Sequence, residues 1–128
     1  MSYRSPLRRV LGLGSAQEGV SHWIGQRVSA VALVLLSGWF LASILQVEDM
    51  GYISVVDWMR IPINAVLLTL LIVALTYHAR LGLRVVIEDY ISHKFAKSFS
   101  LLIINFALIV LQMIGVFSVF RVAFGTAP

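Results

Sequence analysis

Three stretches of this chain carry no charged residue: Val28 to Val47, Ile61 to Ala79, and Ser98 to Phe120. A hydrocarbon core of ~30 Å needs about 20 helical residues to cross it. Backbone N–H and C=O groups find no water there, so a crossing segment must satisfy them internally, as a helix does. The expectation is an all-α membrane protein with three transmembrane helices, at about 28–47, 61–87 and 98–120. They form a single membrane domain over residues 1–128.

The second helix is carried past its uncharged run because Leu81, Leu83, Val85, Val86 and Ile87 continue the apolar pattern. Arg80 and Arg84, one turn apart within that extension, have stems long enough to snorkel to the surface. At 1.5 Å per residue the helix is roughly 40 Å long, so His78 lies inside one leaflet rather than at the lip. Composition agrees with a membrane protein. Hydrophobic residues make up 59% and charged residues 12%, against roughly 45–50% and about 25% in soluble domains. There is no cysteine, which excludes disulfides and thiolate metal sites. Met1–Arg9 is too short and too interrupted for a signal peptide.

Orientation follows from charge. Eight of the ten basic residues fall on one side: Arg4, Arg8, Arg9 and Arg27 before the first span, and Arg80, Arg84, Lys94 and Lys97 around the second connection. Arg60 and Arg121 are alone on the other side. Basic flanks face the cytoplasm, so the N-terminus is expected inside and the C-terminus outside. The same clustering explains the net charge of +4 by membrane orientation rather than by nucleic-acid binding.

The connections read as follows. Ser15-Ala16-Gln17-Glu18 has capping-box spacing, weakened as a helix start by Gly19 and Gly25. Ser54 and Asp57 have the same spacing in a short interfacial segment, where Tyr52 and Trp58 fit an aromatic belt. Pro62 suits a first helical turn. Gly38 and Ala42 form a small pair one turn apart, a close-contact face for another helix or simply residues that lipid tolerates.

His78 is the one imidazole in its uncharged run, with Ala74 and Gly82 one turn to either side. Residues four apart share a helix face, so the imidazole stands in a notch wide enough for a planar ligand. An ionisable group at such depth is costly and marks function. The residues leave two roles open: a hydrogen bond bridging helices, or an axial ligand to haem iron through a neutral imidazole nitrogen. Haem propionates need cationic partners, for which Arg27, Arg80 and Arg84 are candidates and His22 a weaker one; each arginine also serves as a snorkelling anchor. Past the helix end stand Glu88, Asp89 and Tyr90. A phenol donates to a quinone oxygen and an adjacent carboxylate orients it or passes protons. The plainer alternative is a solvated loop end with a belt tyrosine. His93 fits no motif.

Two blocks carry a resemblance. His78-Ala79-Arg80-Leu81-Gly82-Leu83 followed by Val86-Ile87-Glu88-Asp89-Tyr90 resembles an H-x-x-x-G-L…-D-Y signature. His22-Trp23-Ile24-Gly25-Gln26-Arg27-Val28-Ser29-Ala30 is similar to an H-W-x-x-Q-R-x-[ST]-A segment before a first membrane helix. Both belong to the small D-type membrane-anchor subunit of succinate dehydrogenase, respiratory complex II, and with three spans in the right order the match covers nearly the whole chain. The resemblance implies that His78 ligates haem b, with the second ligand from a C-type anchor subunit. It implies that Tyr90 contacts the ubiquinone head group with Asp89 beside it. Electrons would arrive from an iron–sulfur subunit on the cytoplasmic face of a bacterial inner membrane, with FAD and iron–sulfur clusters held by the flavoprotein and iron–sulfur partners. The chain alone would then be no enzyme. Two other readings stand beside this one: a cofactor-free structural anchor, and a small transporter subunit with His78 as proton relay.

Overall fold

Pro62 opens the element that organises the rest. Its ring supplies a helical φ and its missing N–H falls where a first turn has no partner. From it a helix runs without a break to Tyr90. The structure, a computed structural model, describes residues 15–125, and side chains from residue 19. It comprises α1 (Ser15–Ile44), α2 (Tyr52–Arg60), α3 (Pro62–Tyr90) and α4 (Lys94–Phe124), with no strand among the described residues. The side chains of the Ser15–Glu18 capping box and the basic residues Arg4, Arg8 and Arg9 lie outside the described residues. Among the described residues three helices are long and apolar enough to cross a membrane: α1 from Gly19, α3, and α4. The protein is an all-helical, multi-pass membrane protein.

Each helix begins before its uncharged stretch or runs past it, but α1 stops at Ile44, three residues short of Val47, where the chain turns. α1 is already helical thirteen residues before Val28 and passes through both Gly19 and Gly25. Gly25 has a packing reason: a Cβ there would sit 2.8 Å from the Tyr77 hydroxyl, so the missing side chain lets α1 and α3 approach. α3 continues three residues beyond Ile87, which makes Glu88, Asp89 and Tyr90 its last turn and not a loop. Arg84 Nε to Glu88 Oε1 at 2.8 Å, one turn apart, and Lys97 Nζ to Glu88 O at 2.7 Å brace that turn. The loop reading of these residues followed charge, whereas backbone pairing and the (i, i+4) ion pair carry the helix on.

α3 is the middle of a row. α1 packs on one side of it and α4 on the other; among the described residues the backbones of α1 and α4 do not pack on each other. The short α2 lies across the ends of α3 and α4. Its start is not the Ser54 capping box: Gly51 is the N-cap without a side-chain bond, and Gly51 N–H is turned onto Asp49 Oδ1 at 3.1 Å. Trp58 is no belt residue. It is buried, stacks with Trp39 at 6.0 Å, meets Phe40 edge-on, and its indole N–H donates to Ser43 Oγ at 2.8 Å. It pins α2 to the end of α1.

Little of the chain is buried in itself, and the buried polar side chains mark the joints. Ser29 lies at α1–α3, Thr76 at α3–α4, and Asn64 at α2–α3, where its amide donates to Trp58 O at 2.9 Å. In lipid, apolar contact gives helices no driving force towards each other, so hydrogen bonds and close-packed small residues hold them. Gly115 fits this pattern, since a Cβ there would press on Ile72 at 3.2 Å. Gly38, by contrast, has nothing within 4 Å, and Ala42 is exposed. Among the described residues the small pair on α1 therefore faces no other helix.

Candidate functional site

His78 projects from α3 towards α1, half-buried, and both ring nitrogens are engaged. Ser29 Oγ lies 3.0 Å from Nδ1 and Gln26 Nε2 lies 3.3 Å from Nε2. Ser29 and Gln26 are three apart on α1 and so share the face that meets α3. Ser29 also donates to the Gln26 carbonyl at 3.1 Å. The Ala74–Gly82 notch of the sequence is where α1 lies: a Cβ on Gly82 would come 3.8 Å from Gln26 Nε2. The notch is thus shared with a glutamine side chain.

The other sequence candidates are distributed around α3. Two residues turn a helix by about 200°, so Arg80 stands on the side of α3 away from His78, exposed. Arg27 is exposed at the start of the α1 apolar run, its guanidinium 5.4 Å over the Trp23 ring. Asp89 and Tyr90 lie about 18 Å further along α3 than His78. Tyr90 is 84% exposed, and neither its hydroxyl nor the Asp89 carboxylate has a hydrogen-bond partner among the described residues. Between His78 and Tyr90 a cleft of about 710 Å³ opens between α1 and α3, with His22, Tyr77, Arg84 and Glu88 on its walls. The fold therefore brings His78 together with Gln26 and Ser29. It does not bring Arg27, Arg80 or Tyr90 to the imidazole.

Gln26 and Ser29 carry no site role in the sequence reading, although both are defined positions of the H-W-x-x-Q-R-x-[ST]-A segment and stand three apart at the mouth of an apolar run. Thr76 and Gln112 escaped notice in the same way: each is a polar residue inside an uncharged stretch, and they meet at 2.9 Å.

The family model for succinate dehydrogenase/fumarate reductase transmembrane subunits matches residues 1–117. The chain belongs to this family. Among its relatives is the succinate dehydrogenase hydrophobic membrane anchor subunit of Rickettsia bellii, 38% identical over 91 residues, which cover 70% of this chain and 72% of that one. The Rickettsia conorii subunit of the same name is 34% identical over 109 residues, covering 84% and 86%. That of Paracoccus denitrificans is 31% identical over 90 residues, covering 70% of each. No solved structure matches the chain. The α1–α3–α4 row is accordingly the transmembrane anchor of a succinate dehydrogenase.

The residues fit a haem ligand in chemistry. Haem iron takes one neutral imidazole nitrogen from a chain, while the other nitrogen holds a hydrogen bond that sets the ring. Ser29 provides that bond to Nδ1. At Nε2 the fit needs one movement, since the Gln26 amide lies there. Among the described residues Gln26 Oε1 is buried without a partner, so no second hydrogen bond ties the amide in place.

Proposed function

We propose that this anchor subunit helps bind haem b through His78 and presents Tyr90 and Asp89 to ubiquinone, within a succinate:quinone oxidoreductase of a bacterial cytoplasmic membrane. The observation that carries the haem reading is the His78 imidazole, in mid-span on α3, with Nδ1 held by the Ser29 hydroxyl. A second ligand to that haem would come from a C-type anchor subunit. Bound haem supplies one-electron redox chemistry. In this reading Arg27 and Arg80 would contact the haem propionates; both side chains are exposed, and Arg80 leaves α3 on the side away from His78. FAD and iron–sulfur clusters belong to the flavoprotein and iron–sulfur subunits, which dock on the basic, cytoplasmic side.

Reduction of a quinone to the quinol takes two electrons and two protons. The electrons come from the iron–sulfur partner and the protons from water at the membrane boundary. Tyr90 suits this place because its hydroxyl is exposed and unpaired at the end of a membrane span, and Asp89 adjoins it. A phenol donor tightens its bond as charge develops on the quinone oxygen, which lowers the barrier rather than merely the binding energy. High exposure in the isolated chain fits a site completed by partner subunits.

A second reading has one observation in its favour. The Gln26 amide against Nε2 makes His78 a bridge between α1 and α3, as a cofactor-free anchor would use it. A reduced-minus-oxidised spectrum of the purified complex separates the two. A b-type spectrum that is lost in His78→Ala, with flavoprotein still co-purifying, supports ligation. The same spectrum in both proteins removes His78 as a ligand.

A further inference from the structure

We infer that Ser29 is the positioning residue of His78: its hydroxyl accepts the Nδ1–H of the imidazole and leaves Nε2 as the bare nitrogen offered to iron. The inference rests on the haem reading above. It follows from counting protons across three contacts.

Ser29 Oγ lies 3.1 Å from the Gln26 carbonyl and 3.0 Å from His78 Nδ1. A carbonyl only accepts, and a hydroxyl has one proton to give. Spent on the carbonyl, that proton leaves an Oγ lone pair towards Nδ1, which must then carry a hydrogen. The opposite edge of the ring agrees. Gln26 Nε2, which only donates, lies 3.3 Å from His78 Nε2, so Nε2 receives. The contacts at both edges fit the same neutral tautomer, Nδ1–H with Nε2 unprotonated. The reverse tautomer would set an N–H against an NH₂ and leave the ring unsupported on that side.

The arrangement is built into the fold. Ser29 is 5% exposed, so water does not compete for its hydroxyl. It sits on a continuous helix, and its one rotor is already tied to its own backbone. A nitrogen whose partner N–H is held this way is more basic and its ring is fixed in rotation, and both strengthen a metal bond. Gln26 is the placeholder on Nε2. Its displacement gives up a long hydrogen bond from a side chain whose Oε1 has no partner among the described residues.

The test compares Ser29→Ala, Ser29→Thr and Ser29→Val with His78→Ala in the assembled complex. Haem content, the midpoint potential of the haem and succinate oxidation with an artificial acceptor are measured on each. Loss of the hydroxyl is expected to weaken haem retention by about 10- to 100-fold in affinity, the usual effect of removing such an outer partner, and to raise the potential because the imidazole becomes a poorer donor. Ser29→Thr keeps the hydroxyl and should restore both, while Ser29→Val, of the same shape as threonine, should not. That pair keeps the test decisive if alanine impairs assembly, which acceptor activity reports. Wild-type haem content and potential in Ser29→Val, alongside haem loss in His78→Ala, overturn the role of Ser29 and leave the haem reading standing. Normal haem in His78→Ala overturns the haem reading and this inference with it.

Discussion

Thr76 Oγ1 donates to Gln112 Oε1 across 2.9 Å, sharing its proton with Ile72 O, and so ties α3 to α4 two residues from His78. Two residues are about 200° on a helix, so Thr76 and His78 leave α3 on opposite sides. At this one level the middle helix is held from both flanks, by Gln112 on α4 and by Gln26 and Ser29 on α1.

A double-mutant cycle on Thr76→Val and Gln112→Leu measures the first of these ties. Hydrogen bonds between membrane helices couple by about 0.6 kcal/mol on average, because the separated helices also find partners. The expected coupling is of that size, read from unfolding of the complex in detergent. Strict additivity of the two substitutions would show that the pair is not formed.

Gly25 and Tyr77 give a prediction with a sign. A Cβ at position 25 would stand 2.8 Å from the Tyr77 hydroxyl oxygen and 3.7 Å from its ring carbon. Gly25→Ala should therefore destabilise the α1–α3 joint despite alanine's better helix propensity, worth about 0.8–1.0 kcal/mol in an exposed helix. Tyr77→Phe removes the clashing oxygen. The double variant should recover stability relative to Gly25→Ala alone, and a fall instead would show that the close approach is absent.

Tyr90→Phe keeps the ring and deletes one donor. Quinone reduction by succinate should fall several-fold or more, while electron transfer to an artificial acceptor that bypasses the membrane persists. A wild-type quinone rate would return Tyr90 to the role of an interfacial anchor. The quinone site would then be sought nearer Arg27, where His22 Nε2 and Gln26 Oε1 are buried without a partner among the described residues, or on the partner subunits.

Orientation is open to reporter fusions. The eight-to-two distribution of basic residues expects residue 1 inside and residue 128 outside. A reporter active only outside the cytoplasm should work at the C-terminus and stay silent in the α3–α4 connection near His93. The opposite pattern would invert the placing of Tyr90 and of the docked subunits.

The sequence by itself determined the three crossings, because each uncharged run is long enough to cross a bilayer as a helix, which pairs its own backbone. It also determined that His78 was the group to explain, because an imidazole in such a run is costly. It set the relation between His78, Ala74 and Gly82, since residues on one helix carry their own geometry. Only the tertiary structure decided what that face meets. The rotation and offset of α1 against α3 are not written in the periodicity of either helix. They depend on where a glycine admits a neighbour, as Gly25 admits Tyr77, and on which polar atoms must be paired away from water, as Ser29 and Gln26 are with His78. For the same reason the end of α3 was misplaced at Ile87: charge suggested a loop, but the ion pair between Arg84 and Glu88 and the lysine on the Glu88 carbonyl exist only once the helix has formed and α4 has turned back beside it.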